Sequence, residues 1–168
     1  MSLIIPTPTR PHMANYGIVE VPDGLLDWSW VSQQLTQSRN YWVCTTRPNG
    51  NPHSAPVWGV VIEDIVYFGT GNTAVKAQNI AQNAQVVVHL ESGDDCVIIE
   101  GQAVAVKDKD LLAKMATLYP SKYPSFAPTA EDLAKNANYA IQPQVVMAWR
   151  ESDFPNTATR WDFASAQE

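Results

Sequence analysis

Pro52-His53-Ser54-Ala55-Pro56-Val57-Trp58-Gly59, then Val66-Tyr67-Phe68-Gly69-Thr70-Gly71, then Lys76-Ala77-Gln78-Asn79-Ile80, decide the reading of this chain. They spell a strand, a short turn, a second strand, a threonine flanked by glycines, and the first turns of a helix that carries one lysine. A hydroxyl, free backbone N–H groups and a cation gathered at a helix start suit a phosphate. The aromatic-rich strand before them suits a flat ring. A phosphorylated planar cofactor is implied, and a flavin is the first candidate.

Working outward, Tyr41–Thr46 is rich in β-formers, and Pro48-Asn49-Gly50 is a turn whose Asn-Gly pair tolerates positive φ. Pro52–Ile62 and Ile65–Thr70, joined by Glu63-Asp64, make a second pair of strands, so the whole reads as a meander. Upstream, residues 1–26 form an irregular arm with a short strand at Tyr16–Val21. Asp27 caps a helix from Trp28 to Gln37, with Trp28, Val31 and Leu35 at helical spacing.

Downstream, Thr73 is expected to cap a helix from Ala74 to Gln82. Val86-Val87-Val88-His89-Leu90 is an uninterrupted apolar run, expected to be a strand covered on both faces. Cys96–Val106 is a long strand. Asp108 opens a helix over residues 110–118 with Leu111, Leu112, Met115 and Leu118 on one stripe. Tyr119–Pro128 holds three prolines and reads as a loop, Ala130–Asn136 as a helix. Tyr139–Ile141 and Gln144–Arg150 close the β-structure. Roughly six or seven antiparallel strands with few short helices point to a barrel rather than a parallel sheet. Residues 27–168 are read as a single domain, of a length that buries a sizeable core.

Hydrophobic residues at 45% and charged residues at 17% fit a globular protein. The net charge is −6 and Lys and Arg are scattered, which disfavours nucleic acid as a partner. Cys44 and Cys96 are far apart and form neither metal-ligand spacing nor a disulfide framework. No signal-peptide core and no apolar run of membrane-spanning length is visible, so the expectation is a cytoplasmic protein without membrane partners.

The chain resembles the pyridoxamine 5′-phosphate oxidase-like family of flavin and deazaflavin oxidoreductases from about Asp27 to Phe163. The resemblance rests on Pro52–Trp58, Tyr67–Thr70 with Lys76-Ala77 behind it, and Thr159-Arg160-Trp161-Asp162-Phe163. It implies an antiparallel, Greek-key FMN-binding split β-barrel, a homodimer with cofactor sites shared between subunits, and hydride transfer at the flavin ring to or from a small molecule.

Carried over by position, the resemblance sets Ser54, Ala55, Pro56, Val57 and Trp58 along the ring edge. Pro56 has no N–H, so Val57 and Trp58 are the expected backbone donors. Gly69 and Thr70 fall near the ribityl chain and phosphate, and Lys76 on a phosphate-binding cation. Where the oxidases carry a second cation this chain has Val75, a loss partly offset by Thr73 and the helix start. Trp149 matches a tryptophan that packs by the flavin from the other subunit. Arg160 lies near an arginine that reaches the cofactor, and it reads equally as a partner in a C-terminal ion pair.

Cys96 falls near a glutamine that touches the ring, and it also reads as a buried small residue. His53, at a strand start, is a candidate proton donor. His89 reads as a satisfied core histidine. The oxidases' pattern for the pyridoxal phosphate group is not recognisable in Glu151–Thr159, which argues against pyridoxamine phosphate as substrate. FMN is the expected cofactor. Coenzyme F-420 is the alternative, with Arg47, Lys76, Arg150 and Arg160 available for its acidic tail. A non-enzymatic flavin or haem carrier is the second alternative.

Overall fold

Two tight hairpins set the register of everything that follows. Strand β1 (Asn40–Thr46) turns through Gly50, at φ +82°, into β2 (Pro52–Ile62). Arg47 N–H closes the loop on Asn51 O at 2.9 Å. β2 turns into β3 (Ile65–Thr70) through Glu63 and Asp64, both at positive φ (51° and 64°), the conformation of a twist-matched two-residue hairpin. Asp64 tolerates it because its carboxylate is held by Trp28 Nε1 (3.0 Å) and the Ser32 hydroxyl, both on helix α1 (Trp28–Gln37).

The computed structural model describes residues 3–164. Met1, Ser2 and residues 165–168, which the expected arm and domain also cover, lie outside the described residues. After β3 the chain runs through α2 (Val75–Gln82), β4 (Gln85–His89), β5 (Asp95–Ala105), α3 (Lys109–Lys122), α4 (Ala130–Ala134), β6 (Ala137–Arg150), a 3₁₀ turn with α5 (Phe154–Thr157), and β7 (Thr159–Asp162). Strand order is β3-β2-β1-β4-β5-β6-β7, and β3 also pairs with β6. Six antiparallel strands therefore close on themselves, with β7 laid outside on β6. The order 3-2-1-4 within it is a Greek key. This is the split β-barrel that the resemblance implied.

The barrel interior holds Val43, Phe68, Val88, Ile99, Ile141 and Val146, with α1 closing it through Val31 and Leu35. A second apolar cluster lies outside the barrel wall, where Leu112, Met115 and Tyr119 of α3 cover Val60 and Tyr67.

Several local expectations are corrected. No strand forms at Tyr16–Val21. The arm is instead pinned by the Arg10 guanidinium, which donates to the carbonyls of Val21, Asp23, Asn156 and Ala158, and by Thr9 bridging to Arg160. β4 is not covered on both faces. Val86 and Val88 are buried, while Val87 and His89 on the outer face are half-buried. Asp27 stands at the N-cap of α1 but makes no side-chain cap bond.

α3 does not stop before Tyr119. It runs through Pro120 to Lys122, and its buried stripe is Leu112, Met115, Tyr119, with Leu118 exposed. Pro120 removes one helical bond. Burial of Tyr119 and Tyr123, with Tyr123 N–H still bonded to Tyr119 O at 2.7 Å, holds the last turn in place. β6 is one strand, not two. Pro143 sits opposite Gly101 at a register shift, where a Cβ on Gly101 would lie 2.1 Å from Gln142 O. A residue without a side chain facing one without an N–H lets the strand pass the bulge unbroken.

Candidate functional site

The barrel is split along one side of β2. Residues Pro52–Trp58 pair with β1, but pairing with β3 begins only at Gly59. On its other edge β3 pairs with β6 from Tyr67 onward, and Gly69, opposite Asn138, and Thr70, opposite Ala137, pair with β6 alone. The far side of β2 over Pro52–Trp58 therefore has no strand partner among the described residues.

The direction of the backbone there follows from Gly59. Its N–H donates to the Tyr123 hydroxyl (3.0 Å), its carbonyl accepts from Lys122 Nζ (3.1 Å), and the Tyr123 hydroxyl also donates to Arg39 O, just before β1. Gly59 thus turns its polar groups to the β1 side. Sides alternate along a strand. Trp58 N–H and Pro56 O then face the open edge, while Val57 faces Tyr41 of β1. Pro56, lacking an N–H, leaves no donor unmet at the edge. Of the two expected backbone donors, Trp58 alone is aimed outward.

Along β2, Ser54, Pro56 and Trp58 are exposed, His53 and Ala55 are half-buried, and Val57 is buried in the barrel core. The Trp58 ring stacks on Tyr123 at 4.6 Å and 10°, with Arg39 over it at 5.9 Å from the ring centre.

At the end of β3, Lys76 Nζ donates to Thr70 Oγ1 at 3.3 Å. The six-residue spacing works because α2 folds back after a turn in which Ala74 N–H bonds Gly71 O. Thr73 does not cap α2. The N-cap is Ala74, with no side-chain bond, so the first amides of an eight-residue helix carry no side-chain cap beside Lys76. The physical reason is position: a capping hydroxyl must sit at the N-cap itself to reach the next turn, and Thr73 lies one residue too early. Val75 is exposed.

A second cation, Arg47 of the β1–β2 hairpin, acts together with Lys76 on His53. Burial first, then the positive charges of Arg47 and Lys76, hold His53 below the ordinary histidine pKa. His53 is therefore neutral near pH 7, with Nδ1 3.4 Å from Thr45 Oγ1, which accepts from the buried Asn79 amide at 2.9 Å. Thr45 and Asn79 were not legible in sequence, because β1 and α2 meet only through the fold.

Trp149 and Arg160 are not brought to this cluster within one chain. Ala137 faces Thr70, and Trp149 lies twelve residues further along β6, roughly 40 Å of strand at ~3.3 Å per residue. Trp149 packs edge-on against Phe154 at 5.5 Å and is half-buried. Arg160 makes the expected C-terminal ion pair, with Asp162 at 3.0 Å. Cys96 is buried opposite Trp149, and burial pushes its thiol up to about 11, so it is an inert thiol rather than a nucleophile. His89 hydrogen-bonds Leu90 O through Nδ1 (2.8 Å) and stacks on Trp42.

A lysine–threonine pair and an uncapped helix start thus lie beside an open strand edge. The family description pyridoxamine 5′-phosphate oxidase matches residues 31–150. This chain belongs to that family. No curated protein matches it by sequence. Among solved structures, a conserved hypothetical protein of Mycobacterium tuberculosis, Rv2991, superposes with a TM-score of 0.69 at 20% identity, over 83% of this chain and 91% of that one. An F420 reductase superposes at 0.56 and 18% identity, over 68% of this chain and 94% of that one. A heme binding protein of Mycobacterium smegmatis gives 0.59 at 14%, over 73% and 54%. At these identities the likeness is one of fold. No helix among the described residues is long and apolar enough to cross a membrane.

Proposed function

We propose that the chain is an FMN-dependent oxidoreductase acting on a small molecule other than pyridoxamine phosphate. The observation that carries the reading is the Thr70–Lys76 pair at the uncapped start of α2, beside the unpartnered edge of β2. The group fits. Lys76, Arg47, the Thr70 hydroxyl and the first α2 amides would hold the phosphate. Gly69 and Ser54–Trp58 would line the ribityl chain and ring, with Trp58 N–H donating to the ring edge. When bound, the flavin supplies hydride transfer.

The chain's own residues position the ring, exclude water on the barrel side through Val57, and leave neutral His53 near the phosphate end as a proton carrier. Two cations serve a single phosphate, and a net charge of −6 offers little for a polyanionic tail. This favours FMN over coenzyme F-420.

The same reading takes the active species as a homodimer. Trp42, His89, Ile98 and Met147 stand in register across four strands on the outer sheet face, and all four are half-buried. A second copy on this face would cover them, and it offers a route for Trp149 and Arg160 to reach the partner's ring. The test is the absorbance of protein purified without added cofactor. Flavin bands, or stoichiometric FMN uptake by colourless protein, support the reading. A Soret band, or uptake of F-420 alone, replaces it with the haem or deazaflavin alternative.

A further inference from the structure

The pairing of β1 with β2 stops just where the open edge ends. Asn40 stands opposite Trp58, and the next rung would set Arg39 against Gly59. Directly bonded and unbonded pairs alternate along an antiparallel ladder. Gly59 turns its polar groups toward β1, so this rung would be a bonded one. The Tyr123 hydroxyl occupies it instead. It donates to Arg39 O and accepts from Gly59 N–H at 3.0 Å, so two hydrogen bonds span a gap that one spans elsewhere in the ladder. Lys122, also at the end of α3, supplies the partner for Gly59 O at 3.1 Å and donates to the Tyr41 hydroxyl at 2.6 Å.

The surroundings leave little room for movement. Tyr123 is fully buried. A Cβ on Gly59 would lie 2.7 Å from Tyr67 O and 3.1 Å from the Tyr41 ring, so glycine lets the backbone pass between them. Burial raises the phenol pKa of Tyr41 and Tyr123 and pushes that of Tyr119 up to about 12, so all three keep their protons. The Tyr123 ring carries the Trp58 ring in its parallel stack, and Phe126 meets Trp58 edge-on at 5.9 Å. Trp58, whose N–H faces the open edge, is therefore held by Tyr123 twice, at its ring and at the peptide that follows it. A binding group works only where its own neighbours lock it to within about 0.5 Å.

We propose that Tyr123 is a positioning residue for the cofactor: its hydroxyl, inserted in the β1–β2 ladder, and its ring, stacked on Trp58, fix the aim of Trp58 N–H at the open edge. The action on a flavin ring rests on the flavin reading, whereas the hydroxyl's place in the ladder does not, so the two fail separately.

The test is Tyr123→Phe in the full chain, which keeps the stack and removes one oxygen. In the cofactor-free protein, Gly59 N–H loses its acceptor and should exchange with solvent at least about fivefold faster by NMR, as expected for one lost hydrogen bond. In titrations, the affinities for FMN and riboflavin should fall by the same factor, about three- to tenfold, and the visible absorption band of the bound flavin should shift. A purely structural role lowers the melting temperature without moving that band. If Tyr123→Phe fails to fold, Lys122→Met, which removes the partner of Gly59 O, should move the same readouts in the same direction. Unchanged Gly59 exchange would overturn the inserted hydroxyl. Faster exchange with flavin affinity and absorption unchanged would overturn the positioning role while leaving the flavin reading intact. A wild-type chain that takes up no flavin would remove the cofactor part, and Gly59 exchange would still decide the ladder part.

Discussion

Lys76→Met separates a cofactor role from a structural one. In the folded chain Nζ makes one long bond, 3.3 Å to Thr70 Oγ1, and among the described residues it has no carboxylate partner in an ion pair. A bond of that length contributes little, and methionine retains the apolar stem, so stability should change by no more than about 0.5 kcal/mol. Against a phosphate the same ammonium makes a charge-assisted contact worth about 1.5–3 kcal/mol, roughly ten- to more than a hundredfold in affinity. Arg47 remains, so binding should weaken rather than vanish. The assay is fluorescence titration with FMN and with riboflavin, alongside a melting curve. The loss should appear for FMN and not for riboflavin, which has the ring but no phosphate. Unchanged FMN affinity at unchanged Tm removes Lys76 from the site, and an equal loss for both ligands moves it from the phosphate to the ring.

Three further outcomes are expected. His53 should titrate by NMR below the usual ~6.5, because burial and the charges of Arg47 and Lys76 disfavour its cation; inorganic phosphate should raise that midpoint, and an unmoved midpoint would place the anion elsewhere. Lys122, whose pKa burial lowers from 10.5 to about 8, binds fewer protons folded than unfolded between those values, so its contribution to stability rises with pH across that window. After allowance for solvent screening the gain is about 1 kcal/mol, and the wild-type-minus-Lys122→Met difference in stability should rise by that much across the window; a difference that does not change with pH would contradict the buried cation. Above pH 9 to 10 the raised Cys96 and Tyr119 groups act the other way, since their stabilisation is lost as pH climbs toward about 11 and 12. Trp149→Ala should lower FMN affinity and reduce flavin quenching; normal affinity and quenching would confine Trp149 to its contact with Phe154.

The hairpins, the helix at Trp28 and the closing strands were legible because their signals are local. Asn49-Gly50, Glu63-Asp64 and the alternation in β1 and β2 each speak within a few residues. What was not legible depends on distant partners. Pro120 reads as a helix end until Tyr119 and Tyr123 are seen to be buried. Pro143 reads as a break until Gly101 is placed opposite it. Thr73 is one residue from the N-cap, a margin that propensity does not resolve. At the site, Thr70 and Lys76 could be paired by spacing and by resemblance. Asn138 lies 62 residues beyond Lys76 and stands opposite Gly69 only because β6 pairs with the far edge of β3, and no feature of its local sequence marks it.

The proposed function requires a phosphorylated flavin held at Thr70 and Lys76 in a shared dimer. Native mass spectrometry of the FMN-titrated protein tests it most directly. The expected species is twice the 18.5 kDa chain carrying one FMN per chain, with FMN retained in preference to riboflavin. A monomer, or a dimer that takes up no FMN while binding F-420 or haem stoichiometrically, would contradict it.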